Sequence, residues 1–293
     1  MKRIFQFEEN DDPIDICKDN VFKAVFTKEN PASREALSRL ISALIGREVS
    51  IESICANEPP IDNLRDRQIR FDINCVTQKG ELVNVEMSLN PTSFEPIRLE
   101  FYAGKLFAGQ DIKGIDKTYN NLKQAYQIAV LAKEQFFPDK EFFHNFEYYD
   151  PMNKVSLNGR TRIITLELSK LEKVVEKSAK EMSEKESWAV YFKYLTDKSK
   201  RHKINEIVEN EGGIAMASEV LMTISKDWEE RMRLMSIEKN ELDYQSGIAY
   251  AKQTGFAKGR EEGLAEGKHE IAHKLKDMGL SAEQILTATG IHA

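Results

Sequence analysis

Two acidic residues and a serine carry the first chemical suggestion in this chain. The stretch RFDINCVTQKGELVNVEMS, residues 70 to 88, alternates apolar and polar residues in two runs separated by a turn signal at Lys79-Gly80. Strand side chains alternate between faces. Ile69, Phe71, Ile73 and Cys75 therefore share one face, and Arg70, Asp72 and Asn74 share the other. In the second run Val83, Val85, Met87 and Leu89 form the apolar set and Asn84, Glu86 and Ser88 the polar one. A turn centred on Lys79 sets Asp72 opposite Glu86, Asn74 opposite Asn84 and Arg70 opposite Ser88. Directly opposed Cβ atoms lie about 4.5–5.5 Å apart, where two carboxylates repel and one tends to take up a proton. A hard divalent cation such as Mg²⁺ between them removes that penalty, since such ions are held by one or two protein carboxylates together with substrate phosphate. The competing reading is an ordinary solvent-facing hairpin, with Arg70 and bulk water softening the repulsion.

The elements that must position this hairpin follow from periodicity. Phe22, Val25, Phe26, Leu37, Leu40, Ile41 and Leu44 recur at helical spacing and predict two short helices divided near Pro31, with Gly46 as a stop. EVSIESICANEP reads as a strand closed by Pro59-Pro60, and the hairpin of 68 to 89 follows. A helix pattern starts near Ser93. KQAYQIAVLAK is a nearly continuous apolar strand of the kind covered on both faces. FHNFEYYDP and RTRIITLEL predict two further strands joined by a turn around Asn158-Gly159. From Ser169 to about Met235 the pattern is helical, broken at Gly212-Gly213. The order predicts an α/β fold with a mixed sheet and a helix between the third and fourth strands.

Composition narrows the setting. The chain has 293 residues, 41% hydrophobic and 31% charged, enough for one large domain with an appendage or two modest ones. Its longest apolar run, near Ala129 to Ala132, is far too short for a bilayer, and MKRIFQFEENDD turns acidic before a signal-peptide core can form, so a cytoplasmic setting without membrane contact is expected. Cys17, Cys55 and Cys75 are scattered and form no CxxC pair, which fits reduced packing residues. A net charge of −6 argues weakly against a nucleic-acid partner, but KSKRHK at 198 to 203, with Lys198, Lys200, Arg201 and Lys203, is locally basic, as are Arg65, Arg67 and Arg70. A solvated helix end or loop is the plainer reading of that cluster.

A resemblance adds to this. DNVFKAVF, RFDINCV, VNVEMSLNP, RLEFYAGKLF and YQIAVLA, in that order, resemble the recombination-promoting nuclease (Rpn) group of PD-(D/E)XK nucleases, also described as transposases, over about residues 12 to 235. The resemblance implies a restriction-endonuclease-like core with a central mixed sheet flanked by helices, and Mg²⁺- or Mn²⁺-dependent cleavage of DNA. Asp72 and Glu86 match the motif's metal ligands, and Asp19 matches the extra acidic position near the metal. The last motif position, usually Lys or Gln, is Ser88 here, which offers only a neutral hydrogen bond where a lysine would orient water and stabilise charge. Lys105 or Lys23 could supply the missing cation from a helix. The basic residues Arg70, Lys23, Lys198, Lys200, Arg201 and Lys203 would contact the DNA backbone. A catalytically inactive DNA-binding or scaffold protein that keeps the fold is the rival reading, with Ser88 marking the loss.

Two features of the tail complete the reading. HEIAH at 269 to 273 matches HExxH, the zinc-protease signature. It lies in a charged, Gly-punctuated segment with no evident third ligand, so it reads as a chance match. Gly247, Ala251, Gly255, Gly259, Gly263 and Gly267 recur every fourth residue. Glycines inside a helix cost about 1 kcal/mol each, so the stripe makes sense when another backbone lies against it. Either a homodimer through this tail or a frayed extension fits. SAEQILTATGI then predicts a short helix with a Ser281 to Gln284 capping box. The expected organisation is a nuclease-like core at 1–168, a helical extension at 169–238 and a Gly-rich helical tail at 239–293.

Overall fold

The computed structural model describes residues 5–55, 72–110, 118–133 and 135–292. Arg65, Arg67 and Arg70, and the strand residues Ile69 and Phe71, lie outside the described residues. The chain runs α1 (Asp19–Thr27), α2 (Pro31–Ile45), β1 (Ile51–Ile54), β2 (Ile73–Thr77), β3 (Leu82–Ser88), α3 (Glu95–Ala108) and β4 (Ala125–Leu131). It continues through β5 (Phe143–Phe146), β6 (Tyr149–Asp150), β7 (Val155–Ser156) and β8 (Thr161–Glu167). The helices α4 (Glu184–Tyr194), α5 (Arg201–Asn210), α6 (Gly212–Lys226), α7 (Trp228–Asp277) and α8 (Ala282–Thr289) complete it.

Local chemistry sets the first elements. Asn30 caps α2, its side chain accepting from Ser33 N, and Pro31 takes the first helical position, where no amide donor is needed. Gly46 ends α2 with φ +80°, a left-handed conformation that favours glycine. Among the described residues six strands form one mixed sheet in the order β1-β2-β3-β4-β8-β5. β1, β2 and β3 are antiparallel neighbours, β3, β4 and β8 run parallel, and β5 returns antiparallel to β8. The helix between the third and fourth strands is thus the crossover of a parallel β3-α3-β4 unit.

The alternation of side chains sorts the two sheet faces. Val83, Val85 and Met87 join Ile73, Cys75, Ile128, Val130, Ile164 and Leu166 in the main core, packed with α1, α2, α4, α5 and α6. The opposite face carries Ala125, Ala129, Leu131 and Ile163 beneath Leu99 and Leu106 of α3. Asn84, Glu86 and Ser88 of β3, Gln127 of β4 and Thr165 and Glu167 of β8 share the parity of this α3 face, and all six are buried.

Two expectations need correction. The strands β5 and β8 are joined by the small β6–β7 ribbon as well as by the turn at Asn158-Gly159, because pairing of Tyr149 with Ser156 and Asp150 with Val155 makes a hairpin of its own. Gly212 and Gly213 open α6 instead of merely breaking a helical run. A Cβ on Gly213 would come within 2.4 Å of Arg39 Cβ, so glycine there lets α6 approach α2. The N-terminal arm also packs into the core: Phe7, Ile14 and Ile16 are buried, and Phe7 exchanges two 2.9 Å hydrogen bonds with the Asn205 side chain.

The chain divides into two compact units, 1–234 and 235–293. The second contains the later part of α7 and α8, turned by Gly279 at φ +86°, with the expected capping box between Ser281 and Gln284 and with Ala272 and Ile285 buried. No helix among the described residues is long and apolar enough to cross a membrane.

Candidate active site

The β2–β3 register pairs Ile73 with Val85, Asn74 with Asn84 and Cys75 with Val83, the pairing that sets Asp72 against Glu86 at the end of the ladder. Asp72 (8% exposed) and Glu86 (3% exposed) are both buried, so this is no solvent-facing hairpin. Asp72 Oδ2 accepts a 3.0 Å hydrogen bond from Met87 N, which ties the first carboxylate to the strand that carries the second.

Each carboxylate has a cation beside it. Lys23 on α1 places Nζ 3.1 Å from Asp72 Oδ1 and 2.9 Å from Asp19 Oδ2, so Asp19 joins the site through Lys23. Arg98 on α3 sets Nη1 2.6 Å from Glu86 Oε1 and Nη2 2.6 Å from Glu95 Oε1, and its guanidinium carbon lies 5.6 Å from the centre of the Tyr102 ring. From below, Asn84 Nδ2 donates to Gln127 Oε1 at 2.9 Å and Gln127 Nε2 donates to Glu86 Oε2 at 3.1 Å. This polar string crosses β3 and β4 at directly paired positions and fixes the Glu86 carboxylate.

These partners do not offset burial. Asp72 is pushed up to about 6, first by burial and then by the charge of Asp19, against the opposing pull of Lys23. Glu86 is pushed up to about 8, again chiefly by burial, with Arg98 opposing and Asp72, Glu95 and Asp19 adding repulsion. Lys23 and Arg98 are shifted upward by the same carboxylates, despite burial that works the other way. Burial therefore disfavours the ionised form of both acids more than the two cations favour it.

Ser88 lies on the same strand face two residues beyond Glu86 and is buried, its carbonyl accepting a 2.9 Å hydrogen bond from Ala132 N. Lys105 is not brought to the carboxylates: it is exposed on α3 two turns past Arg98, with Nζ 5.7 Å from the Phe101 ring centre. The 198–203 cluster sits in the helical layer on the opposite sheet face. Arg201 donates to Asp11 O at 3.0 Å and covers the Phe7 ring, and Lys203 donates to Lys177 O and pairs with Glu206, so both hold the fold together. Lys198 is exposed and Lys200 half-buried there.

Arg98, Glu95 and Gln127 escaped the sequence reading. A glutamine within the apolar run AYQIAVL was a usable signal, since a polar residue in a strand buried on both faces needs a buried partner. The Glu95 to Arg98 spacing of one helical turn was another. Among the described residues no group of three or more His, Cys, Asp or Glu side chains is arranged to hold a metal ion. His269 and His273 of HEIAH share a small cavity with His292, a neighbour not anticipated, but they make no such group.

A family model described as PD-(D/E)XK nuclease family transposase matches residues 16–251. No curated protein and no solved structure matches the chain. The mixed sheet with its β3-α3-β4 crossover, the facing acids at the end of the second and third strands and this match over most of the sequence together place the chain in the PD-(D/E)XK nuclease family of transposases.

Proposed function

We propose that the chain is a metal-dependent DNA endonuclease in which Asp72 and Glu86 hold Mg²⁺ or Mn²⁺, with Asp19 assisting directly or through water. The observation that carries this reading is the pair of facing, buried carboxylates Asp72 and Glu86, whose ionised forms burial disfavours even beside Lys23 and Arg98. Paired hard oxygen donors whose ionised form burial disfavours fit a divalent cation, which would restore that form. When bound, such an ion activates water and neutralises charge on the scissile phosphate. Gln127 orients the Glu86 carboxylate, and Lys23 and Arg98 oppose the effect of burial on the acids and lie where phosphate oxygens approach. Ser88 contributes a neutral hydrogen bond at the position where a lysine is usual. Lys23, with Lys198 and Lys200, supplies contacts to the DNA backbone.

Melting the protein with and without Mg²⁺, followed by a supercoiled-plasmid nicking assay, tests the reading. A metal-dependent rise in Tm together with nicking supports it. An unchanged Tm and intact plasmid favour the catalytically inactive DNA-binding or scaffold protein, the alternative that Ser88 keeps in view.

Ser88→Lys is expected to raise the nicking rate about tenfold, since a buried cation at that position stabilises the developing charge. Lys23→Ala is expected to lower it by a similar factor and Lys105→Ala to leave it unchanged. A fall with Lys105→Ala and none with Lys23→Ala, read from initial rates, would reverse those assignments.

The organisation we propose remains a core at 1–168, a helical extension at 169–238 and a tail at 239–293 that associates with a second copy. Among the described residues, nothing beyond the neighbouring residues and the helix's own backbone lies within 4 Å of a Cβ built on Gly255, Gly259, Gly263 or Gly267, so no such contact calls for glycine there. Replacing Gly259 and Gly263 with leucine is expected to dissociate the dimer in sedimentation velocity, although leucine is the better helix former. A monomeric parent would end this part of the proposal.

A further inference from the structure

Across α3 from the carboxylates, on the same sheet face, lies a groove of about 260 Å³ between α3 and β5. Leu99 and Ala103 form one wall, Phe137, Phe146 and Tyr148 the other, and Thr165 is part of the floor. The aromatic wall is built firmly. The ring centres of Phe137 and Phe146 are 5.2 Å apart, and His144 stacks on Phe146 at 5.6 Å with an interplanar angle of 15°. Glu167, fully buried and 2.6 Å from Lys170 Nζ, accepts from Phe136 N and Phe137 N at 2.6 and 3.2 Å and so fixes the loop that presents Phe137. Tyr148 rests against Gly159, where a Cβ would come within 2.9 Å of the ring.

The floor carries an unexplained polar group. Thr165 is fully buried and its hydroxyl has no hydrogen-bond partner, and Nδ1 of His144, the residue paired with it on β5, is buried and unpartnered as well. A buried hydroxyl left without a partner is destabilising, a cost that valine, of similar shape, would avoid. At the rim stand two carboxylates, Glu100 and Glu147, the latter paired with Arg162 at 2.7 Å. Such a rim repels phosphate and accepts hydrogen bonds from an amino group. A flat ring with polar edges and an exocyclic amine satisfies the aromatic wall, the orphaned hydroxyl and the acidic rim together, and a nucleobase has that chemistry.

We propose that this groove receives a base splayed out of an unpaired DNA strand, making single-stranded or locally melted DNA the preferred substrate. The proposal rests on the nuclease reading of the Asp72–Glu86 site and deepens it. Pairing runs from Glu86 through Ala129 to Thr165, two strand spacings or roughly 10 Å, so one strand can reach both places. The first turn of α3, with Phe94 and Ile97 exposed, is the ridge it crosses.

The test uses the full chain in EDTA and a short oligothymidylate carrying one 2-aminopurine, as single strand and as duplex. Stacking in the groove quenches the 2-aminopurine fluorescence. The single strand is expected to bind at least tenfold more tightly than the duplex, and Thr165→Val, Phe146→Ala and the groove-filling Ala103→Trp each to weaken it about fivefold or more while sparing duplex binding. Thr165→Val removes only the orphaned hydroxyl and should melt no lower than the parent, so it reports even where Phe146→Ala fails to fold. Equal affinity for the two forms, or single-strand binding indifferent to Thr165→Val and Ala103→Trp, overturns the proposal. So does dissociation of an oligomer by Ala103→Trp without change in fluorescence, which would assign the groove to a second copy. Groove-dependent binding by a protein that cuts no DNA would retain the base site and remove the nuclease reading. Equal cleavage of paired and unpaired DNA, with Asp72→Ala inactive, would do the reverse.

Discussion

Asp72→Ala and Glu86→Gln are each expected to lower Mg²⁺-dependent nicking by roughly 10³-fold or more, since several kcal/mol of transition-state charge stabilisation depend on the ion they hold. The same changes are expected to stabilise the metal-free protein, which separates loss of a ligand from loss of fold. Glu86 ionises near 8 in the folded chain and near 4.5 in its ordinary state, so between those values the folded protein binds more protons than the unfolded one. Stability of the wild type in EDTA therefore falls as pH rises from about 5 to about 8. Asp72 adds a smaller decline between its ordinary value of 3.8 and about 6. Glu86→Gln removes most of the upper slope: the variant should be roughly 2–4 kcal/mol more stable than wild type at pH 8 and within about 1 kcal/mol of it at pH 5. Thermal melts across that range, with EDTA and then with Mg²⁺, read both effects. Unaltered nicking in either variant removes the assignment of these acids, and a wild type whose stability climbs towards pH 8 without metal removes the charge argument.

How legible this was depends on which interactions are local. Alternation in 70–88 and the Lys79-Gly80 turn are properties of adjacent residues, so the Asp72–Glu86 register and the two faces of β3 could be read directly, as could the break at Pro31 and the Ser281 capping box. Position across the sheet is different. That Arg98, not Lys105, meets Glu86 depends on where α3 crosses β3 and β4, a packing decision no spacing within the helix reveals. The basic run 198–203 shows the converse. Its charge density was visible, but its placement behind the sheet, with Arg201 tied to Asp11 and Phe7, comes from α5 burying Ile204, Ile207 and Val208. Gln127 lay between these cases: a polar residue in an apolar strand signals the need for a partner without telling which, and that signal went unread.

Arg98 carries the largest stability effect we expect. It neutralises two carboxylates, Glu86 and Glu95, each only 3% exposed, and it opposes the burial of Glu86 more than any other group does. Removing one partner of a buried ion pair costs about 3–5 kcal/mol, because the remaining charge is left without compensation. Here proton uptake limits the loss. Arg98→Ala drives Glu86 further above 8, so at low pH the acid is simply protonated and the damage is small, whereas with rising pH the folded state must either hold a proton against solution or bury a bare charge. The destabilisation should therefore grow from about 1 kcal/mol at pH 5 to roughly 3–5 kcal/mol at pH 8.5. Arg98 also lies over Tyr102, so Arg98→Met, which keeps the aliphatic stem, separates lost packing from lost charge. If charge dominates, Arg98→Met follows Arg98→Ala in its pH dependence, and adding Glu86→Gln to either recovers more than half of the loss at pH 8.5. Denaturant titrations of the two single variants and the double variants at both pH values decide it. A loss independent of pH, or one that Glu86→Gln fails to relieve, would mean that Arg98 holds α3 to the sheet by packing and that the carboxylates are neutralised in some other way.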